Sequence, residues 1–115
     1  MSDQLMFWKP RPDCSLSPAR IAQELTWGED VEGLIDLPIK EVLDRLKVEF
    51  PQHDEKPGLL MIGTTGGPVE TTWSWQHLSI KCPGILPADR ERLVAVVAEF
   101  GCTVHEMQVD RPRFL

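Results

Sequence analysis

The sequence lacks any run of about 18 consecutive apolar residues, so no helix is expected to cross a membrane. Its opening residues 1–12 also lack the basic region and apolar stretch of a secretory signal peptide. Cysteine is scarce, because Cys14, Cys82 and Cys102 are an odd number without the spacing of a paired motif. These absences predict a cytoplasmic protein with reduced thiols, without a disulfide framework and without a membrane span.

Positive charge is scarce as well: 12 basic residues stand against 18 acidic ones, and the formal net charge is −6. This balance disfavours a nucleic acid as partner, because the phosphate backbone rewards lysine and arginine. The acidic excess is concentrated in residues 24–55, which hold ten acidic and three basic side chains. Such a segment is either a solvated helix face with loops or a surface that docks on a basic partner. Four residues in it are candidates for partner binding: Glu29, Asp30, Glu32 and Asp36.

The length of 115 residues predicts a single domain spanning 1–115. Apolar spacing and end signals predict helices over 17–28, 38–51 and 87–101. Short apolar stretches bounded by turn residues predict strands over 5–9, 59–63, 70–82 and 102–108, whereas 52–58 is expected to be a loop. This order predicts an α+β, ferredoxin-like β-α(α)-β-β-α-β sandwich, with a four-stranded antiparallel sheet and the helices on one face.

The predicted strand at 70–82 carries large side chains on both of its faces. Three residues of one parity are candidates for partner binding: Trp73, Trp75 and His77. Three residues of the other parity are apolar: Leu78, Ile80 and Cys82. If the apolar set faces the helices, the tryptophans form an exposed patch on the open sheet face, which Trp8 can join, and such a patch indicates an interface. The alternative is a bulge near Gln76 that places both sets in the core.

No residue spacing in the chain indicates catalysis or a metal site. Cys102 and His105 are three apart in a predicted strand and should point to opposite faces, which argues against a shared metal. The same reasoning separates Ser74 from His77, so proton transfer between them is not expected. The glycine-rich segment 62–70 lacks the lysine of a phosphate loop and predicts a hairpin turn. An enzyme would need a deep pocket that holds a histidine with a carboxylate.

Several segments together carry a family resemblance: LTWGEDVEGLIDLP, a helix ending in EFP, WSWQHL, and AEFGCTVHEMQ followed by RPRF. This layout resembles small uncharacterised bacterial proteins, some of which are similar to immunity partners of secreted toxins. Those proteins commonly end their last strand in a Tyr-Asp-Pro-Gln-like tetrad. This chain has His-Glu-Met-Gln over 105–108, which keeps the glutamine and an acidic residue. The resemblance implies toxin inhibition and carries over no catalytic residue.

The leading hypothesis is a non-enzymatic, cytoplasmic binding protein. Its most concrete form is a bacterial immunity protein that blocks a basic toxin domain through an acidic and aromatic surface. The alternative is a small-ligand-binding or self-associating regulatory domain, for example a homodimer, that uses the open sheet face. Neither hypothesis involves a cofactor, a metal ion, a nucleic acid or a membrane.

Overall fold

The computed structural model describes residues 4–107, which form one sheet of seven strands and three helices. In chain order the elements are β1 (Gln4–Pro10), α1 (Pro18–Thr26), β2 (Leu34–Ile35), α2 (Ile39–Glu49), β3 (His53–Lys56), β4 (Leu59–Thr64), β5 (Gly67–Trp73), β6 (His77–Lys81), α3 (Pro87–Ala98) and β7 (Thr103–Met107). The strand order is β7-β1-β6-β5-β4-β3, β2 joins the end of β1, and each of these pairs is antiparallel. The α+β class predicted from the sequence is therefore confirmed.

The three predicted helices are present, and local sequence explains their ends. The Ser17 hydroxyl accepts a hydrogen bond from the backbone N–H of Arg20 at 3.3 Å, and Pro18 occupies the first turn of α1. In α2, Val42, Leu43 and Leu46 are buried at helical spacing. These helices thus form where their apolar stripes can be covered by other elements.

The sheet differs from the prediction at three places. The predicted strand at 70–82 is two antiparallel strands, β5 and β6, because the chain reverses at 74–76. The predicted loop at 52–58 contains β3, which pairs with β4 across a turn where Gly58 has a φ of +74°. A short β2 was not predicted. The last strand is confirmed over its described part, whereas its predicted end at Gln108 lies outside the described residues.

Both faces of β1 are buried, each in a different apolar cluster. Leu5 and Phe7 belong to the main cluster, which also contains the buried faces of α2 and α3. Met6 and Trp8 point to the other face and belong to a second cluster with residues of α1 and of the loop after it. The second cluster is formed by Met6, Trp8, Ile21, Ala22, Leu25, Val31 and Leu34.

The helices therefore lie on both faces of the sheet, which corrects the prediction that all of them pack on one face. Residues 5–8 of β1 are all apolar, so side chains on both faces of the strand are apolar, as expected for a strand that is covered on both sides. The ferredoxin-like, four-stranded arrangement is not confirmed, since the sheet has seven strands and α1 covers the face opposite to α2 and α3.

One arginine ties α2 to α3. The Nε of Arg92 donates to Oε1 of Glu49 at 3.0 Å, and its Nη2 donates to the backbone carbonyl of Glu49 at 2.7 Å. The guanidinium carbon of Arg92 lies 4.5 Å from the centroid of the Phe50 ring. A cation stacked on an aromatic ring beside a carboxylate is thus part of this fold.

None of the helices in the described residues is both long enough and apolar enough to pass through a bilayer.

Candidate functional site

Residues 27–38 connect α1 to α2 and include β2; we call this connection the acidic loop. It is held against the turn between β5 and β6. The side chain of Gln76 makes two hydrogen bonds to the backbone of Val31: the Val31 N–H donates to Oε1 at 2.8 Å, and Nε2 donates to the Val31 carbonyl at 2.7 Å. The N–H of Leu37 donates to the carbonyl of Trp75 at 2.9 Å. Gln76 is only 3% exposed, so these bonds are made away from water. The loop therefore has a fixed path along the turn.

All four acidic candidates lie on this loop and are exposed. They are Glu29, Asp30, Glu32 and Asp36. Their neighbours Val31, Leu34 and Leu37 are buried, so the loop alternates between anchored apolar side chains and solvated carboxylates. The negative charge is thus presented on a loop with anchored backbone.

Trp75 is hydrogen-bonded to the acidic loop. Its indole Nε1 donates to Oδ1 of Asp30 at 2.8 Å, and 48% of the residue remains exposed. Trp27, the C-cap residue of α1, is 66% exposed. Its Cα is at most about 11 Å from that of Asp30, because three peptide units separate them. We call this set the docking surface: Trp27, Glu29, Asp30, Glu32, Asp36 and Trp75.

The structure separates the three strand candidates that the sequence placed on one face. Trp73 packs against the main cluster. His77 pairs in register with Trp8, on the face of α1, and is partly buried. Only Trp75 extends into solvent, from the turn between the two strands. Of the candidates in this stretch, the structure therefore brings Trp75 alone to the acidic loop.

An aromatic platform on an open sheet face is not formed. Trp8 is 2% exposed in the second cluster, beneath α1. The part of that face beyond α1 is largely polar. The register aligns Asp54, Met61, Glu70 and Lys81 across β3 to β6, where Met61 is partly buried and the three charged residues are exposed. A polar, solvated face is usual for one side of an antiparallel sheet and does not favour self-association.

Ser74 and His77 are brought together, contrary to the prediction from their spacing in a strand. Ser74 Oγ and His77 Nδ1 are 2.6 Å apart, because the two residues stand at opposite ends of the reversal. The Ser74 hydroxyl also accepts from the N–H of Gln76 at 3.2 Å, and the Ser74 N–H donates to the His77 carbonyl. These bonds close a tight turn, so we assign the pair a structural role in presenting Trp75 and Gln76.

Burial of the imidazole lowers the pKa of His77 below its ordinary value of 6.5. Burial raises the pKa of Cys102 to about 11, against the opposing charge of Lys9, so this thiol is protonated at neutral pH. No disulfide joins the three cysteines, all of which fall in the described part of the chain. Hydrogen bonding to Arg92 lowers the pKa of Glu49, in the bridge between α2 and α3.

The lowered pKa of His77 predicts that stability decreases in acid. At pH values between the pKa of His77 in the folded protein and its ordinary pKa, the unfolded chain binds more protons than the folded one. The contribution of the buried neutral imidazole to stability is therefore complete above about pH 6.5 and falls as the pH drops below that value. Urea unfolding at a series of pH values should show this decrease, and His77→Gln should reduce its slope. His53→Gln is the control, since His53 is exposed on β3, and it should leave the His77 contribution in place. An unchanged slope in His77→Gln would show that the imidazole is solvated.

The side chains that could ligate a metal are dispersed over the described part of the chain. Within residues 4–107 no three histidine, cysteine or acidic side chains are grouped so that they can hold a metal ion. Cys102 packs against the main cluster, whereas the centroid of the His105 ring lies 5.6 Å from that of the Trp8 ring on the opposite face.

An open cleft of about 330 Å³ lies beside the acidic loop and is lined by Arg11, Asp13, Cys14, Ser15, Leu16, Glu32 and Gly33.

Two residues of the site were missed in the sequence. Trp27 lies outside the apolar stripe of α1 and directly before the terminating Gly28, so its position did signal an exposed aromatic side chain. Gln76 carried no such signal, because its two partners are 45 residues away in the chain.

Comparisons with protein-family models, with curated proteins and with solved structures each found no match to this chain. The functional assignment therefore depends on the geometry of the docking surface.

Proposed function

We propose that this protein is a non-enzymatic binding protein that engages a basic protein partner through the docking surface. The observation that carries the proposal is the hydrogen bond between Trp75 and Asp30, which holds a half-exposed indole against the acidic loop. Contiguous exposed apolar patches mark interaction sites, and tryptophan is enriched at the centres of interfaces. Here Trp27 belongs to the most acidic segment of the chain, and Trp75 is hydrogen-bonded to Asp30 in that segment.

The surface is preformed, which favours binding. The Gln76 bonds to Val31 and the Leu37 bond to Trp75 hold the loop before any partner arrives. A loop that is already ordered loses little conformational entropy on association, so more of the contact energy is retained as affinity. The carboxylates contribute mainly to the association rate and to the choice of a positively charged partner.

The most concrete form of the proposal is a bacterial immunity protein that covers a basic toxin domain. The net charge of −6 and its concentration around the docking surface support a partner of opposite charge. Inhibition would be steric, because carboxylates occupy positions where a toxin binds anionic substrates and the tryptophans seal the contact. This mechanism requires no catalytic residue in the inhibitor.

Site-specific photo-cross-linking in the native cell tests the proposal. A photoreactive phenylalanine analogue replaces Trp27 or Trp75, and a third variant carries it in place of Val48, which is exposed on α2. Positions 27 and 75 should capture the same basic protein, and position 48 should not. Equal capture at all three positions, or capture of an acidic protein, would contradict the proposal.

Charge neutralisation then tests the role of the acidic loop with the purified partner. The variant E29Q/D30N/E32Q/D36N should associate roughly tenfold more slowly at low ionic strength and should show a weaker dependence on salt. The matched control neutralises four exposed carboxylates elsewhere: Asp44, Asp54, Glu55 and Glu91. Both variants change the net charge equally, so stopped-flow association separates a local effect from a global one. Equal slowing in both variants would remove the loop from the interface.

A further inference from the structure

Resting on this proposed function, we infer that the docking surface selects an arginine side chain of the partner, seated on the indole of Trp75 and paired with Asp30. The indole N–H lies in the plane of its ring, so the carboxylate that accepts from it stands at the ring edge. The faces of the ring are not used by this bond. A flat cation placed on one face can therefore stack on the indole and reach the carboxylate at the same time.

Arginine fits this geometry better than lysine does. Its guanidinium is planar, stacks on aromatic rings and presents several N–H donors in one plane, whereas the ammonium of lysine is compact and strongly hydrated. Trp is the strongest aromatic partner for a cation. Donation of the indole N–H to an anion increases the electron density of the ring, which further favours a cation above it.

The chain already contains this arrangement once, within its own fold. Arg92 stacks at 4.5 Å on Phe50 while its Nε donates to the Glu49 carboxylate. There α2 supplies the carboxylate, the residue that follows α2 supplies the aromatic ring, and α3 supplies the guanidinium. At the docking surface Trp75, which is 48% exposed, supplies the ring and Asp30 supplies the carboxylate, and the partner supplies the guanidinium. Glu29 adds a second exposed carboxylate next to Asp30 in the chain.

Two capped peptides serve as probes: one in which arginine alternates with glycine, and its lysine counterpart of equal length and charge. Binding to the full chain at low ionic strength is followed by the indole N–H resonances of the four tryptophans, which identify the side chain that is contacted. The arginine peptide should bind about threefold to tenfold more tightly and should shift the Trp75 resonance most.

Substitutions at the two partners locate the effect. Trp75→Leu should reduce the arginine-to-lysine ratio to about one while leaving weak, salt-sensitive binding of both peptides. Trp75→Phe keeps an aromatic face without the N–H, so it should retain part of the ratio. Asp30→Asn should weaken both peptides, because the paired charge is lost while the side-chain shape is kept.

The possible results separate the inference from the function on which it rests. Equal binding of both peptides, with a shift at Trp75, would overturn the choice of arginine and leave a charge-selective docking surface. An arginine preference that persists in Trp75→Leu would overturn the assigned position. No shift at Trp27 or Trp75 with either peptide would overturn both the inference and the proposed docking surface.

Discussion

Replacing Trp8 with alanine is expected to destabilise the protein by about 3–5 kcal/mol, the cost typical of removing a large buried aromatic side chain. Trp8 is 2% exposed and is the largest member of the second cluster, which has only seven buried residues. That cluster attaches α1 and the start of the acidic loop to the sheet, so the cavity would lie where both pack on β1. A domain of this size is typically stable by about 5–15 kcal/mol, so the variant should be marginally folded.

Chemical denaturation followed by circular dichroism measures this loss, with Trp27→Ala as the matched control. Trp27 is 66% exposed, so its replacement should change the free energy of unfolding by less than about 0.5 kcal/mol. If Trp8→Ala does not fold at all, Trp8→Phe retains an aromatic ring and should lie between the wild type and the alanine variant. Equal stability of Trp8→Ala and Trp27→Ala would show that the packing of α1 on the sheet contributes little to stability.

The helices could be predicted because their signals are local. In α2, the apolar residues recur at helical spacing and Pro51 follows, and the buried positions agree with that pattern. The face that each helix covers could not be predicted, because α1 and α2 have stripes of the same kind. The uninterrupted apolar run of β1 requires a covering element on each side, but it does not indicate which helix covers which face.

The reversal between β5 and β6 was not predicted because Ser74 is its only residue of a type common in turns. Trp75 and Gln76 are uncommon in turns, no glycine, proline or asparagine is present, and the chain on both sides has strand composition. Hydrogen bonds of the Ser74 hydroxyl and of the Gln76 amide stabilise the turn, and the Gln76 partners are distant in sequence. The prediction counted alternating faces straight through this reversal and so placed Trp75 and His77 on the same face. In the structure the two residues are separated.

The acidic loop could be identified from charge alone, but its connection to Trp75 could not. Segment 24–55 is prominent because of its composition, and the four proposed carboxylates are all exposed. The bond from Trp75 to Asp30 joins residues 45 positions apart, and no periodicity predicts such a pairing. The docking surface is therefore a product of tertiary structure, although most of its residues were selected from the sequence.

Removal of the Gln76 side chain is expected to release the acidic loop and to destabilise the protein by roughly 2–4 kcal/mol, because two buried backbone groups lose their partners. In Gln76→Ala the N–H and the carbonyl of Val31 would both remain buried without the amide that now satisfies them. Denaturation measures the loss of stability, and amide hydrogen exchange at Val31 reports the release of the loop. Exchange at Val31 should accelerate more than exchange in α2.

Two further variants separate the hydrogen bonds from the volume of the side chain. Gln23→Ala removes the same group from an exposed position on α1 and should be nearly neutral. Gln76→Glu keeps the shape and can still accept from the Val31 N–H, but a deprotonated carboxylate has no donor for the Val31 carbonyl. It should therefore be destabilising near neutral pH and recover in part on acidification, when the carboxyl regains a donor. If Gln76→Glu matches the wild type at neutral pH, the loop does not depend on the bond to the Val31 carbonyl. In that case the apolar anchors of the loop, the Val31 N–H bond and the Leu37 bond to Trp75 are enough to keep the docking surface preformed.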